Sequence, residues 1–243
     1  MHLLTVVKMV HLIGLVMGFG GAVLLDLTIF KHGVLRPISK YTIHQAEMLS
    51  KVVSWGLTSL WCSGVALIVI NLMDKPEYLT NQKLWAKIII VVLLTLNGIF
   101  IHNRVLPYLK NQLGHRLFDN IESSDAVVLT FAGSISFVSW TTPFILGKAS
   151  ELNYVTPMWL ILSVYLIAVL LAWIVMYTVM TSIAALQNFA RKVATSTLEQ
   201  SATWEDMAAP QALANVTMLA SADPQYGRIA IVQREPELMK QTG

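Results

Sequence analysis

The sequence has little of what a water-soluble domain of its size contains. Only 13% of its 243 residues are charged, whereas 55% are hydrophobic. Soluble globular domains carry about 25% charged residues. The single cysteine, Cys62, also excludes an internal disulfide. These shortages indicate a chain whose main solvent is a lipid bilayer.

Motifs of common enzymatic sites are missing as well. The sequence contains no G-x-S-x-G nucleophile elbow, no phosphate-binding glycine loop, no dinucleotide fingerprint and no H-E-x-x-H zinc motif. Its net charge of +3 is not gathered into a basic stripe with interleaved aromatic residues. We therefore expect no nucleic-acid partner, and cytoplasmic loops facing anionic lipid account for the positive charge.

The apolar residues gather into five long runs. Each run has at least the roughly 20 residues that a helix needs to cross about 30 Å of hydrocarbon. The runs also lack the alternating polarity of a β-barrel strand. They cover Leu3–Phe30, Met48–Met73, Leu84–Leu109, Ala126–Leu146 and Pro157–Leu186. The sequence therefore predicts an all-α membrane protein, with a bundle of five transmembrane helices over residues 1–187.

Residues 188–243 form a polar C-terminal tail that is rich in Ala, Ser, Thr and Gln. The tail has too few periodic apolar residues to fold as an independent domain, and its one strand-like run is short, over residues 228–232. We predict a largely irregular cytoplasmic segment that is either disordered or ordered by a partner.

Lysine and arginine residues near the run ends predict the topology, because positively charged loops stay on the cytoplasmic side. Of the two connections that this rule places outside, the fourth has only Lys148. The second has Lys75, Lys83 and Lys87 and therefore disagrees with the rule. The first connection, the third and the start of the tail contain most of the rest: Lys31, Arg36, Lys40, Lys51, Arg104, Lys110, Arg116, Arg191 and Lys192. We expect a bacterial inner-membrane protein with its N-terminus outside and its tail in the cytoplasm.

His11 is the most informative residue of the first run, because ionisable groups inside hydrocarbon are costly. Helical spacing puts it on one face with Gly14, Gly18 and Gly21. One interpretation is that a neighbouring helix packs closely on this face and His11 forms a hydrogen bond across the interface. The other is that the face accommodates a porphyrin whose iron binds the imidazole. Spacing alone favours the first, since small-xxx-small patterns are common in membrane helices.

The remaining histidines are sorted by depth. His11 and His32 are about 30 Å apart along a helix, and His11 and His102 lie at opposite depths of their runs, so neither pair can bind one iron. A bis-histidine haem is more plausible on the cytoplasmic side, for example between His44 and His102. A haem on His11 would need a methionine or a lysine as its second ligand.

Two runs resemble helices of HemJ-type protoporphyrinogen oxidases, small bacterial membrane proteins that bind haem b. The residues concerned are Lys8, His11, Gly21 and His32 in the first run and Trp85, Lys87 and His102 in the third. The family's Pro-Arg after the glycine is replaced here by Asp26-Leu27, and the lysine-to-histidine spacing is longer. The resemblance implies a haem-binding helical bundle and does not imply the oxidase activity.

Two hypotheses follow for function. In the first, the chain is an integral inner-membrane haem b-binding protein that takes part in electron transfer, with His11 and His102 as iron ligands in separate sites or with one unused. If such a protein is an enzyme, it is a membrane oxidoreductase or a redox subunit. In the alternative, it is a cofactor-free accessory subunit that docks on other membrane-protein subunits through its glycine-rich first helix and its tail.

Overall fold

The computed structural model describes residues 2–31, 35–117 and 122–222, and within them the secondary structure is helical and contains no strand. The α-helices are α1 (His2–Ile29), α2 (Lys40–Asp74), α3 (Gln82–Phe100), α4 (Leu106–Asn111), α5 (Ser123–Lys148) and α6 (Met158–Ala222). Short 3₁₀ turns, Pro76–Thr80 and Ser150–Leu152, follow α2 and α5. The chain forms two compact units, residues 1–186 and residues 187–243.

In the described part of the chain, five helical stretches are long and apolar enough to cross a membrane: Leu3–Ile29, Lys40–Asp74, Gln82–Asn111, Ser124–Lys148 and Met158–Gln200. They confirm the all-α class and the five predicted runs, and they are compatible with a multi-pass membrane protein. The second stretch begins at Lys40 rather than at the predicted Met48. Its first two turns are polar, so hydropathy misses them, but Ser39 caps them by accepting the Thr42 N–H at 3.1 Å.

The tail differs from the sequence prediction. Helix α6 continues through Ala222, so the predicted irregular structure is wrong for residues 188–222. The segment is rich in alanine and contains several Leu, Gln, Glu and Met residues, which are good helix formers whether or not they are apolar enough for a span. Residues 223–243, including the strand-like run over 228–232, lie outside the described part of the chain.

The connection between α1 and α2 is held against the one between α4 and α5. Ile38 N–H donates to the His115 carbonyl at 2.9 Å, and Gly114 N–H donates to the Ile38 carbonyl at 2.9 Å. Gly114 has φ +84°, which a residue without a side chain adopts at little cost. We call the end of the bundle that contains this contact the Ile38 end. It brings together the two connections that the topology prediction assigns to the cytoplasm.

At the opposite end, the start of α3 is tied to the connection between α5 and α6. Lys83 Nζ donates to the Ala149 carbonyl and, at 3.0 Å, to Asn153 Oδ1. The backbone N–H of Met158 donates to Gln82 Oε1 at 2.8 Å. We call this the Lys83 end.

The core between α3, α5 and α6 is apolar with one polar pair. Ala86 and Ile90 of α3 pack with Val138 of α5 and Tyr165 of α6, and all four are buried. Tyr165 Oη lies 2.9 Å from Ser139 Oγ, so its buried hydroxyl is paired. This core holds α5 against α3, which places Trp140 of α5 beside α1.

Candidate functional site

The glycine face of α1 packs against protein. A Cβ built on Gly14 would lie 3.1 Å from the Gly56 carbonyl, and one on Gly21 would lie 3.0 Å from a valine methyl of α2. A Cβ on Gly18 would overlap the ring of Trp140. On the α2 side of the same contact, a Cβ on Gly56 would lie 2.6 Å from Gly18 Cα. The three glycines are therefore used for close approach of α2 and Trp140.

His11 forms a hydrogen bond to α2, and that bond fixes its tautomer. His11 Nδ1 lies 2.9 Å from Ser63 Oγ, and Ser63 Oγ donates its hydrogen to the Ser59 carbonyl at 2.5 Å. Because a serine hydroxyl has a single hydrogen, Ser63 must accept from His11. In the neutral imidazole, Nδ1 of His11 therefore holds the proton, and Nε2 presents a lone pair.

This tautomer is the one that a metal-binding histidine needs. Such residues donate one ring N–H to a fixed acceptor and bind the metal through the other nitrogen. Within the described residues, Nε2 of His11 has no hydrogen-bond partner, and neither has the Lys87 amine of α3. The positive charge of Lys87 acts on His11 and opposes a second positive charge on the imidazole. An imidazole and an amine thus belong to the same region, towards the Lys83 end.

A separate cavity of about 490 Å³ lies in the half of the bundle towards the Ile38 end. Its walls come from α1, α2, α3, α5 and α6. Asp26 of α1 and His102 contribute its ionisable groups, and Trp140, which also contacts Gly18, lies at its inner limit.

A π-helical turn, Ile101–Val105, joins α3 to α4 beside this cavity. The backbone N–H of Leu106 donates to the Ile101 carbonyl, which closes the wider turn. Three consecutive residues, Ile101, His102 and Asn103, all line the cavity. Single π turns inside α-helices are frequent at functional sites, so the cavity is a second candidate site.

The structure assigns the predicted site residues to different places. His11 contacts Ser63, whereas His102 lines the cavity. His44 is exposed on α2 and is not among the cavity residues. His32 lies outside the described residues. Over residues 2–31, 35–117 and 122–222, no three His, Cys, Asp or Glu side chains are grouped so as to hold a metal ion.

Sequence reasoning missed Ser63 and the π turn. Ser59 and Ser63 are one helical turn apart on α2, and that spacing was a signal for a hydrogen-bonding partner of His11. The π turn, Ile101–Val105, has no comparable signal in the sequence. Asn97, which stands out as a polar residue in this run, donates to the Ala132 carbonyl at 3.0 Å and joins α3 to α5.

Comparison of the chain with protein families, with curated proteins and with solved structures gives no match. The likeness to HemJ-type proteins therefore remains a resemblance between short motifs.

Proposed function

We propose that this chain is an integral protein of the bacterial inner membrane that binds haem b through His11 and takes part in electron transfer. The main support is the hydrogen-bond chain from His11 Nδ1 through Ser63 to the Ser59 carbonyl. It leaves Nε2 as a Lewis base inside an apolar bundle. The resemblance to HemJ-type proteins includes the same histidine.

Lys87 is the candidate for the second residue that would hold the iron. It is a half-buried amine that interacts with His11 electrostatically and makes no hydrogen bond to the described residues. A lone ammonium inside hydrocarbon is costly, and binding iron as a neutral amine would remove that cost. In this proposal His102, in its separate cavity, is not an iron ligand.

The glycine face does not fit the macrocycle. Gly14 and Gly21 contact α2, and Gly18 contacts Trp140, so a porphyrin would need another surface beside His11. When bound, haem supplies a one-electron couple. The residues of this chain hold the imidazole in place through the Ser63 hydrogen bond.

A reduced-minus-oxidised absorbance spectrum of the purified protein tests the proposal. We expect a b-type α-band in the wild type, its loss in His11→Ala, and a shifted or lost band in Lys87→Met. The matched control is His44→Ala, which removes an exposed histidine of α2 and should leave the band unchanged. A wild-type protein that was produced with an ample haem supply and has no α-band would exclude the proposal.

A cofactor-free accessory subunit is the second candidate, and one observation favours it. The contacts of the glycine face and the His11–Ser63 bond are explained by packing of α1 on α2 alone. Purification in mild detergent would then recover another membrane protein at a fixed ratio, and the complex would show no α-band.

A further inference from the structure

The cavity towards the Ile38 end contains an acidic group that has no counter-charge among the described residues. Asp26 is in α1, one turn before the helix ends, and lines the cavity. Among the residues that the structure describes, no charged side chain acts on it, and its carboxyl group makes no hydrogen bond. An ionisable side chain inside a membrane helix that lacks a protein partner is itself a reason to look for a ligand.

The hydroxyl groups of the wall are arranged as acceptors. Four of them donate their hydrogen to a carbonyl of the preceding turn, at 2.7–2.9 Å. Thr95 Oγ1 also accepts from Trp61 Nε1 at 3.1 Å, and the oxygens of the other three can offer lone pairs to a ligand rather than hydrogens. They belong to Ser54, Thr58, Thr95 and Thr130. Ser50, Asn103 and Ser136 also line it and can act either way. The wall as a whole has more acceptors than donors.

Most of the remaining wall is apolar. Leu57, Leu94 and Trp140 belong to one apolar cluster of the wall, and Met176 lines it as well. Along α5 the cavity extends from Leu129 to Trp140, about 16 Å at 1.5 Å per residue. Its volume of about 490 Å³ lies within the range of roughly 300–1,000 Å³ that small-molecule sites occupy. The shape suits a short molecule with one polar end.

We propose that this cavity is a binding site for a small amphipathic amine. The ammonium pairs with Asp26, and the apolar body lies against Leu57, Leu94 and Trp140. A neutral apolar molecule would leave Asp26 unpaired, and an anion would be repelled by it. The site is independent of His11 and of haem binding, because the cavity does not include that residue.

Three probes that differ only in the head group test the ligand class: 4-phenylbutylamine, 4-phenylbutanol and 4-phenylbutanoate. Binding to the full-length protein in lipid nanodiscs is measured by equilibrium dialysis against empty nanodiscs of the same lipid. We expect the ammonium to bind most tightly, the alcohol more weakly, and the carboxylate not at all. Equal or tighter binding of the carboxylate, or no binding of any probe, would overturn the proposal.

Two variants locate the site. Asp26→Asn should weaken binding of the ammonium about tenfold or more and change binding of the alcohol less than about twofold; retained alcohol binding also shows that the variant is folded. Gly98→Leu should abolish binding of both, because Gly98 lines the cavity and a Cβ there meets no atom within 4 Å. Gly20→Leu is the matched control, since Gly20 is equally open but outside the cavity. An ammonium affinity that Asp26→Asn leaves unchanged would exclude an amine site.

Discussion

Gly56 shows how much of the contact between α1 and α2 depends on one missing side chain. A Cβ at this position would lie 2.6 Å from Gly18 Cα and 2.8 Å from the Gly14 carbonyl oxygen, and both are backbone atoms. Backbone in the middle of a helix cannot move aside as the end of a flexible side chain can. The two helices would have to separate to accommodate even a methyl group.

We therefore expect Gly56→Ala to lower the free energy of unfolding by about 1–3 kcal/mol, as overpacking does. Far-UV circular dichroism during a titration with denaturing detergent measures the change. Gly20→Ala is the control, because a Cβ there meets no atom within 4 Å. This control should be neutral or slightly stabilising, since alanine is the better helix former. Equal stability of the two variants would contradict the role assigned to Gly56.

Ser63→Ala should destabilise the protein by leaving His11 Nδ1–H without its acceptor. The cost of such an unsatisfied donor is about 1–3 kcal/mol, measured by the same titration. Ser54→Ala removes a hydroxyl that donates only to the Ser50 carbonyl of its own helix, and we expect a smaller effect. If Ser63→Ala were as mild as Ser54→Ala, the tautomer of His11 would not be fixed by this bond.

Among single residues, the sequence identified His11 and the three glycines as one face, because helical spacing is local information. It left open whether the face holds a helix or a porphyrin. That choice depends on which helix lies opposite, and α2 supplies Gly56 and Ser63 at the matching depth.

At the scale of elements, Lys83 connects α3 to the segment between α5 and α6. Its amine donates to the Ala149 carbonyl and to Asn153 Oδ1. This contact also bears on the lysines of the second connection, which disagree with the predicted topology. Lys83 and Lys87 belong to the first two turns of α3 rather than to a free loop, and Lys83 is used in protein contacts. Only Lys75 of those three residues precedes the helix.

Replacing Lys83 by methionine should cost about 1.5–3 kcal/mol, the range for a hydrogen bond to a charged group. We also expect faster proteolysis between residues 149 and 157, because that connection would lose its attachment to α3. Lys75→Met is the control, since Lys75 is exposed and its side chain makes no hydrogen bond to the described residues. Proteolysis that is unchanged in Lys83→Met would show that other contacts hold the connection.

For the whole molecule, hydropathy found the five long apolar helices because the thickness of a bilayer sets a length that each run must reach by itself. It could not find the cavity. The cavity depends on how α1, α2, α3, α5 and α6 pack together, which no single run encodes. Asp26 and His102 belong to different runs of the sequence, and only packing brings them to one space.

Labelling of engineered cysteines tests the proposed topology. In a Cys62→Ala background, Val155→Cys at the Lys83 end and Arg36→Cys at the Ile38 end introduce one exposed thiol each. Bacterial spheroplasts are treated with a membrane-impermeant maleimide. We expect labelling at position 155 in intact spheroplasts and at position 36 only after permeabilisation. The opposite pattern would show that the predicted orientation is reversed. Labelling of both positions in intact spheroplasts would contradict the prediction of five membrane crossings.

The π turn between α3 and α4 also has a rotational consequence. A π turn contains one residue more than the α-helix would need there, so deleting Asn103 would restore a regular helix. Everything after the deletion would rotate by about 100° around the helix axis. Leu106 and Leu109, now buried, would turn away from the core, and Lys110 would leave Glu47, 2.6 Å away. A single extra residue thus determines which face of α4 is directed towards the core.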